Sequence, residues 1–167
     1  MSKHKKQILD KAQIEQKIRR MAYEIYEQNY EQKELILAGV DENGLKLSIS
    51  LKKEIDAISD IKVHVIKLDV EKDAPVQPKV DLSHFPQIEQ FTVIVVDDVL
   101  NSGRTMIYAI DPFLQLGAKK IQTAVLVNRS HKRFPISVDY KGLELATTIQ
   151  EHIQVDLSES DSSAYLY

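Results

Sequence analysis

Val93-Ile94-Val95-Val96-Asp97-Asp98-Val99-Leu100-Asn101-Ser102-Gly103-Arg104-Thr105 is the stretch whose reading decides the fold. The opening run of β-branched apolar residues reads as a strand covered on both faces, as parallel strands between helices are. Two carboxylates follow at once, then a turn of small polar residues. Met106, Ile107, Ile110, Phe113 and Leu114 then recur at helical spacing and are expected to point inward. Pro112 lacks a backbone donor and should kink this helix or end its regular bonding. Gly117 is placed to close it. In open α/β sheets, ligands bind outside the carboxyl ends of the strands, where this sequence delivers its acid pair.

Outward from that stretch, the chain alternates strand and helix. Ile8-Leu9 reads as a short extended entry, and Asp10 with Gln13 forms a capping box for the helix that follows. Ile14, Ile18, Met21, Ala22 and Ile25 fall on one face of that helix. Leu35 to Val40 is a buried strand, Asp41-Glu42-Asn43-Gly44 a turn, and Leu47, Leu51, Ile55 and Ile58 mark a second helix. Ile61 to Leu68 and Ile121 to Val127 read as further strands, residues 128–150 as an irregular segment, and Ile153 to Leu157 as a last short strand. Residues 69–90 hold three prolines and no period, the mark of a functional lid or a disordered loop. The prediction is an α/β fold: a mainly parallel central sheet flanked by helices, with right-handed crossovers.

The 167 residues fit a single domain, and 43% hydrophobic with 28% charged residues excludes a collagenous or wholly disordered chain. No apolar run approaches the roughly 18 residues that a membrane span needs. The basic start meets Asp10 too soon for a secretory signal, so a cytoplasmic location is expected. The absence of cysteine excludes disulfides, thiolate zinc sites and cysteine nucleophiles. Net charge is −3, but residues 1–33 carry eight Lys and Arg against five acids.

The backbone N–H groups of the Asn101–Thr105 turn, with the helix N-terminus, make an anion site. Ser102 and Thr105 add hydroxyl donors, and Gly103 allows close backbone approach. Carboxylates beside a phosphate cradle make sense when the ligand also carries a vicinal diol, because an ionised carboxylate accepts from hydroxyls. The implied ligand is a ribose 5-phosphate. The plainer alternative is that Asp97 and Asp98 only brace the turn and Ser102 only caps the helix.

Val93 to Thr105 resembles the phosphoribosyl-diphosphate (PRPP) signature of the type I phosphoribosyltransferases. The resemblance extends to the branch that contains pyrimidine-operon attenuators and uracil phosphoribosyltransferases. It is carried by Ile8-Leu9-Asp10, the helix holding Arg19-Arg20 and Glu24-Ile25, residues 124–136, and Asp139-Tyr140-Lys141-Gly142. It implies that Asp97 and Asp98 bind the ribose hydroxyls and so carry the catalytic duty. It further implies that Asn101, Ser102, Gly103, Arg104 and Thr105 cradle the 5′-phosphate. Val127, Asn128 and Arg129 would begin a hood over the nucleobase, with Val127 and Asn128 nearest the base through backbone groups. The hood would comprise residues from about 128–150 with the N-terminal segment, within one domain spanning 1–167. Magnesium would ride on the PRPP, with no all-protein metal cage, and homo-oligomers are usual in this family.

Two departures from that pattern bear on function. Asp41, Glu42, Asn43 and Gly44 stand where the family has a basic turn for the diphosphate, and only the glycine is retained. In place of an aromatic-plus-arginine lid, Leu68 to Pro75 has only Lys67, Lys72 and Lys79 nearby as cations. The expected activity is transfer of ribose 5-phosphate from PRPP to a nucleobase, uracil favoured. Asn101 cannot take a proton, which disfavours purines that need a carboxylate there. The alternative is a nucleotide-sensing regulator with little or no transfer. RNA binding through Lys3, Lys5, Lys6, Lys11, Lys17, Arg19 and Arg20, with Lys119, Lys120, Arg129, Lys132 and Arg133, is disfavoured, because aromatic residues for base stacking are few there.

Overall fold

The computed structural model describes residues 5–71, 85 and 89–167. Most of the expected lid, with Lys72 and Lys79, lies outside the described residues. The elements are β1 (Lys6–Leu9), α1 (Lys11–Asn29), β2 (Glu34–Val40), α2 (Asp41–Ile58), β3 (Lys62–Leu68), β4 (Thr92–Leu100), α3 (Arg104–Gln115), β5 (Lys120–Arg129), β6 (Tyr140–Leu145), β7 (Ile153–Asp156) and β8 (Ser163–Leu166).

Local chemistry sets the helix ends. Asp10 Oδ1 accepts from Gln13 N at 2.8 Å while Gln13 Oε1 accepts from Asp10 N at 2.9 Å, the reciprocal capping box. Gly117 closes α3 with a left-handed φ of 76°. Its N–H donates to Leu114 O at 3.1 Å, and Ala118 N donates to Phe113 O at 3.0 Å, the paired bonds of a Schellman motif. Pro112 is accommodated inside α3, which runs three residues past it. Leu114 is 62% exposed, not inward as its spacing suggested, because α3 buries only the narrower stripe Met106, Ala109 and Phe113.

The five-stranded sheet has the order β3-β2-β4-β5-β6, all parallel. Alternation along its strands divides the core. Leu35, Leu37, Ile94 and Val96 pack with α1 and α2, whereas Ile36, Ala38, Val93 and Val95 pack with α3, Phe91 and Phe113. Phe85 joins the second cluster, its ring 4.8 Å from that of Phe91. A second sheet, β1-β8-β7, is antiparallel and made from the two ends of the chain.

Three expectations are corrected. Asp41–Gly44 is no free turn but the first turn of α2, entered through Asp41 at a left-handed φ of 52°. Within the 128–150 segment, Tyr140–Leu145 is a regular edge strand of the main sheet. Burial of Tyr140 and Gly142 drives it: a Cβ on Gly142 would stand 2.6 Å from Leu126 O, so glycine lets β6 close on β5. The strand at Ile153 is not the last, since β8 follows and pairs with both β7 and β1. Tyr140 also ends a buried network: its hydroxyl donates to Gln122 Oε1 at 2.9 Å and accepts from Asn29 Nδ2 at 3.2 Å. Burial pushes its pKa up to about 12.

Candidate active site

β4 outruns its neighbour. Its pairing with β2 ends at Gly39 opposite Val96, while its pairing with β5 continues to Leu100 opposite Asn128. Asp97 and Asp98 therefore stand on a strand end with one side open. Strand alternation sends them to different walls. Asp97, 4% exposed, lines a cleft of ≈ 60 Å³ with Leu100, Ser102, Gly103, Thr105 and Met106. That is several times the roughly 10–15 Å³ one water needs. Asp98 faces α2, where its Oδ2 accepts from Asn43 Nδ2 at 2.8 Å. Each carboxylate also holds the next backbone N–H: Asp98 N donates to Asp97 Oδ1 at 2.8 Å, and Val99 N to Asp98 Oδ1 at 2.9 Å.

The loop from Asn101 to Thr105 is shaped by Gly103, which caps α3 in the left-handed region at φ 90°. A Cβ there would stand 2.4 Å from Ile136 Cγ2, so conformation and space both call for glycine. No acid occupies the first turn of α3, leaving the positive end of its dipole uncompensated by its own residues. Ser102 Oγ accepts from Arg104 N at 3.3 Å. The carbonyl of Ser102 accepts from Arg133 N at 2.8 Å and Phe134 N at 3.1 Å, which anchors the basic segment after β5 to this loop. Arg104 lies against the Tyr108 ring at 5.5 Å.

Val127, Asn128 and Arg129 form the carboxyl end of β5, buried between β4 and β6. Arg129 donates from Nε to Thr147 Oγ1 and from Nη2 to Thr148 O at 2.8 Å. His131 Nε2 also contacts Thr147 O, so the chain after β6 is bound back over this end of the sheet.

The acidic segment reaches the same edge. Gly39 and Gly44 are packed backbone to backbone, since a Cβ on Gly44 would be 2.5 Å from Val96 O and one on Gly39 2.5 Å from Gly44. This contact seats α2 against β4 and brings Asn43 to Asp98. Asp41 Oδ1 accepts from Val70 N at 3.1 Å. Glu42 pairs with Lys67 at 2.5 Å, and Lys67 with Asp69 at 3.2 Å. Glu42 first, then Asp69, hold the Lys67 ammonium above its ordinary pKa. The bond from Asn43 to Asp98 was not legible in the sequence; the glycine pair was the signal that the two loops meet.

The basic residues singled out from the sequence include Lys11, Lys17, Arg19 and Arg20 on α1 and Lys120 and Arg129 on β5. Lys119 precedes β5, Lys120 opens it and Arg129 ends it. Arg20 is occupied by the carbonyls of Lys141 and Gly142 at 2.7 and 2.8 Å, and Arg19 pairs with Glu54 at 3.5 Å. Among the described residues, no helix is long and apolar enough to cross a membrane.

Comparison with known proteins identifies the family and the fold. The phosphoribosyl transferase domain family matches residues 4–160. The chain is 35% identical over 167 residues to the bifunctional protein pyrR of Enterococcus faecalis (strain ATCC 47077 / OG1RF), covering 95% of this chain and 93% of that one. It is 38% identical over 170 residues to the bifunctional protein PyrR of Brevibacillus brevis, again covering 95% and 93%. Among solved structures, a hypoxanthine-guanine phosphoribosyltransferase from Bacillus anthracis superposes with a TM-score of 0.74 at 18% identity, covering 94% of this chain and 96% of that one. Hypoxanthine phosphoribosyltransferase from Trypanosoma cruzi, in a complex with the product IMP, gives 0.75 at 18% identity, covering 86% and 78%. The structural likeness speaks for the fold, and the sequence match runs through the acid pair and the loop behind it: the chain belongs to the phosphoribosyltransferase family.

Proposed function

We propose that this protein binds PRPP or a nucleoside 5′-monophosphate at the end of β4 and transfers ribose 5-phosphate to a nucleobase, with uracil the favoured acceptor. The observation that carries the reading is the Asp97–Asp98 pair on an overhanging strand end, followed by a glycine-capped helix start without acids. The 5′-phosphate would lie on the N–H groups and hydroxyls of Asn101 to Thr105. A ribose across the strand end would meet Asp97 from one wall and Asp98 from the other. Val127, Asn128 and Arg129 would lie toward the base, under a hood drawn from the segment after β5 and from the small sheet. The relatives' names, "bifunctional protein pyrR" and "PyrR", fit the pyrimidine branch.

In the transfer, the bond from the anomeric carbon to diphosphate breaks and a bond to the base nitrogen forms, while the nitrogen loses its proton. Charge develops on the ribose and on the leaving diphosphate, so the protein's part is positioning and electrostatic stabilisation. Magnesium carried by PRPP would supply charge neutralisation of the diphosphate, and the carboxylates of Asp97 and Asp98 are hard oxygen donors of the kind it takes. The protein is proposed to act in the cytoplasm as a homo-oligomer.

A second reading is favoured by one observation: Asp41 and Glu42 occupy the first turn of α2, and Lys67 is already engaged by Glu42 and Asp69. This supports a nucleotide-sensing protein with weak transfer. RNA binding stays the lesser option, since Arg19, Arg20 and Arg129 are engaged within the chain. The deciding experiment is diphosphate release from PRPP and magnesium, with and without uracil, beside calorimetric titration of uridine monophosphate. Uracil-dependent release establishes transfer. Monophosphate binding without release establishes the sensor. Binding of neither PRPP nor uridine monophosphate would dismiss both readings.

A further inference from the structure

Asn43 is the third residue of α2, behind Val40, which offers no side-chain cap. A Glu or Gln at this position can reach back to the backbone N–H of the residue preceding the helix. Asn43 instead reaches across to another element. Its amide nitrogen carries two hydrogens; it donates to Asp98 Oδ2 at 2.8 Å and to the carbonyl of Val155 at 3.2 Å. Val155 is buried in β7 of the small sheet, opposite Ala164 of β8. One side chain thus joins three elements that are far apart in sequence: the first turn of α2, the ribose-facing carboxylate of β4, and the second sheet. Helix propensity does not recommend asparagine here, so its use lies in these contacts. The seat is rigid, because Gly44 packs on the Val96 carbonyl and Gly39 on Gly44.

We propose that Asn43 is a positioning residue for ribose recognition: it fixes the Asp98 carboxylate in the rotamer that meets the diol, and it makes that rotamer depend on the docking of β7. Resting on the ribose 5-phosphate reading above, the inference adds to it the residue that orients one of its two carboxylates. With Oδ1 of Asp98 held by Val99 N and Oδ2 by Asn43, the carboxylate is locked at both oxygens while each oxygen keeps a lone pair for a ligand hydroxyl. Without Asn43 the carboxylate has an extra rotamer to lose on binding, and the cost falls only on ligands that use it.

The test compares uridine monophosphate with 2′,3′-dideoxyuridine monophosphate, which lacks the diol, by calorimetry on the full chain. Wild type should bind the diol-bearing nucleotide at least tenfold more tightly. Asn43→Ala should weaken uridine monophosphate about three- to tenfold and leave the dideoxy compound unchanged. Asn43→Ser, which keeps one donor, should recover part of the difference and carries the test if the alanine variant fails to fold. An unchanged ratio of the two affinities in either variant overturns the inference, as does an equal loss for both nucleotides, which marks a merely structural residue. If wild type itself does not distinguish the two nucleotides, the ribose reading fails and this inference with it. If wild type distinguishes them and the variants do so equally, only the role of Asn43 falls.

Discussion

Two strand-to-helix junctions sit side by side at the carboxyl edge of the sheet, and they are built in opposite ways. After β4, the chain turns through Gly103 in the left-handed region and starts α3 with no acid in its first turn. After β2, it turns through Asp41 in the same region and starts α2 with Asp41 and Glu42. Parallel strands and helix dipoles make both junctions natural anion sites. The first places no carboxylate of its own in that turn. The second quenches its dipole with its own carboxylates, then spends Glu42 on Lys67 and Asn43 on Asp98. Geometry alone therefore does not set the charge at such a junction; the side chains of the first turn decide it.

Substitutions at the two junctions test that contrast. The largest effect is expected at the acid pair. Asp97→Asn and Asp98→Asn should each weaken PRPP and uridine monophosphate by about 1.5–3 kcal/mol, the worth of a charge-assisted hydrogen bond, with the thermal melt retained. Unchanged affinity in both variants, by calorimetry, would put the site elsewhere.

Gly103→Ala should come next. The added Cβ meets Ile136 Cγ2 in a backbone region that alanine disfavours, so a loss of about 1–3 kcal/mol of stability is expected in urea denaturation. Phosphate affinity should fall with it. Gly117, at φ 76° but with nothing within 4 Å of its Cβ position, is the control: Gly117→Ala should cost less. Equal losses at the two glycines would mean that contact with the 136 segment does not shape the loop.

Thr105→Val should weaken ribose 5-phosphate up to about tenfold by removing one donor at the edge of the cleft. If only diphosphate ligands responded, the phosphate end of the site would be reversed.

The smallest change is expected at the acidic junction. Glu42 is 69% exposed, so its charge is well screened. Glu42→Gln should leave Lys67 paired with Asp69 alone and, by removing one negative charge from the junction, strengthen PRPP at low magnesium about two- to fivefold, while leaving uridine monophosphate almost untouched. A PRPP affinity that does not move would show that α2 does not face the diphosphate, and the case for a weak transferase would lose its main support.

Much of this was legible in the residues because the signals were local. Asp10 with Gln13 predicts a capped helix, the Leu35–Val40 and Val93–Val96 runs predict buried parallel strands, and Gly117 predicts a helix end. Each of these depends on neighbours a few residues away, where spacing speaks directly. β6 and β8 were less legible. Tyr140-Lys141-Gly142-Leu143 has too few apolar residues to announce a strand, and it becomes one because Gly142 closes against Leu126. β8 exists because β1 and β7 offer it two edges. Leu114 is exposed although its spacing points inward, because helical spacing marks a face but does not say how wide a stripe its neighbours will cover.

At the site the division is similar. Two carboxylates, a turn of small polar residues and a helix start arrive together at the end of a strand because thirteen consecutive residues, 93–105, carry that whole motif, so the sequence alone was enough to announce it. Which wall each carboxylate faces, and what holds it, depends on how the backbones pack. Asp97 turns to the cleft and Asp98 to Asn43, fifty-five residues earlier in the chain. That meeting depends on two glycines allowing α2 to touch β4, and on β7 supplying a carbonyl from the far end of the chain. A hydrogen bond between such distant residues has no local period or spacing to announce it, so it became visible only once the backbones were packed.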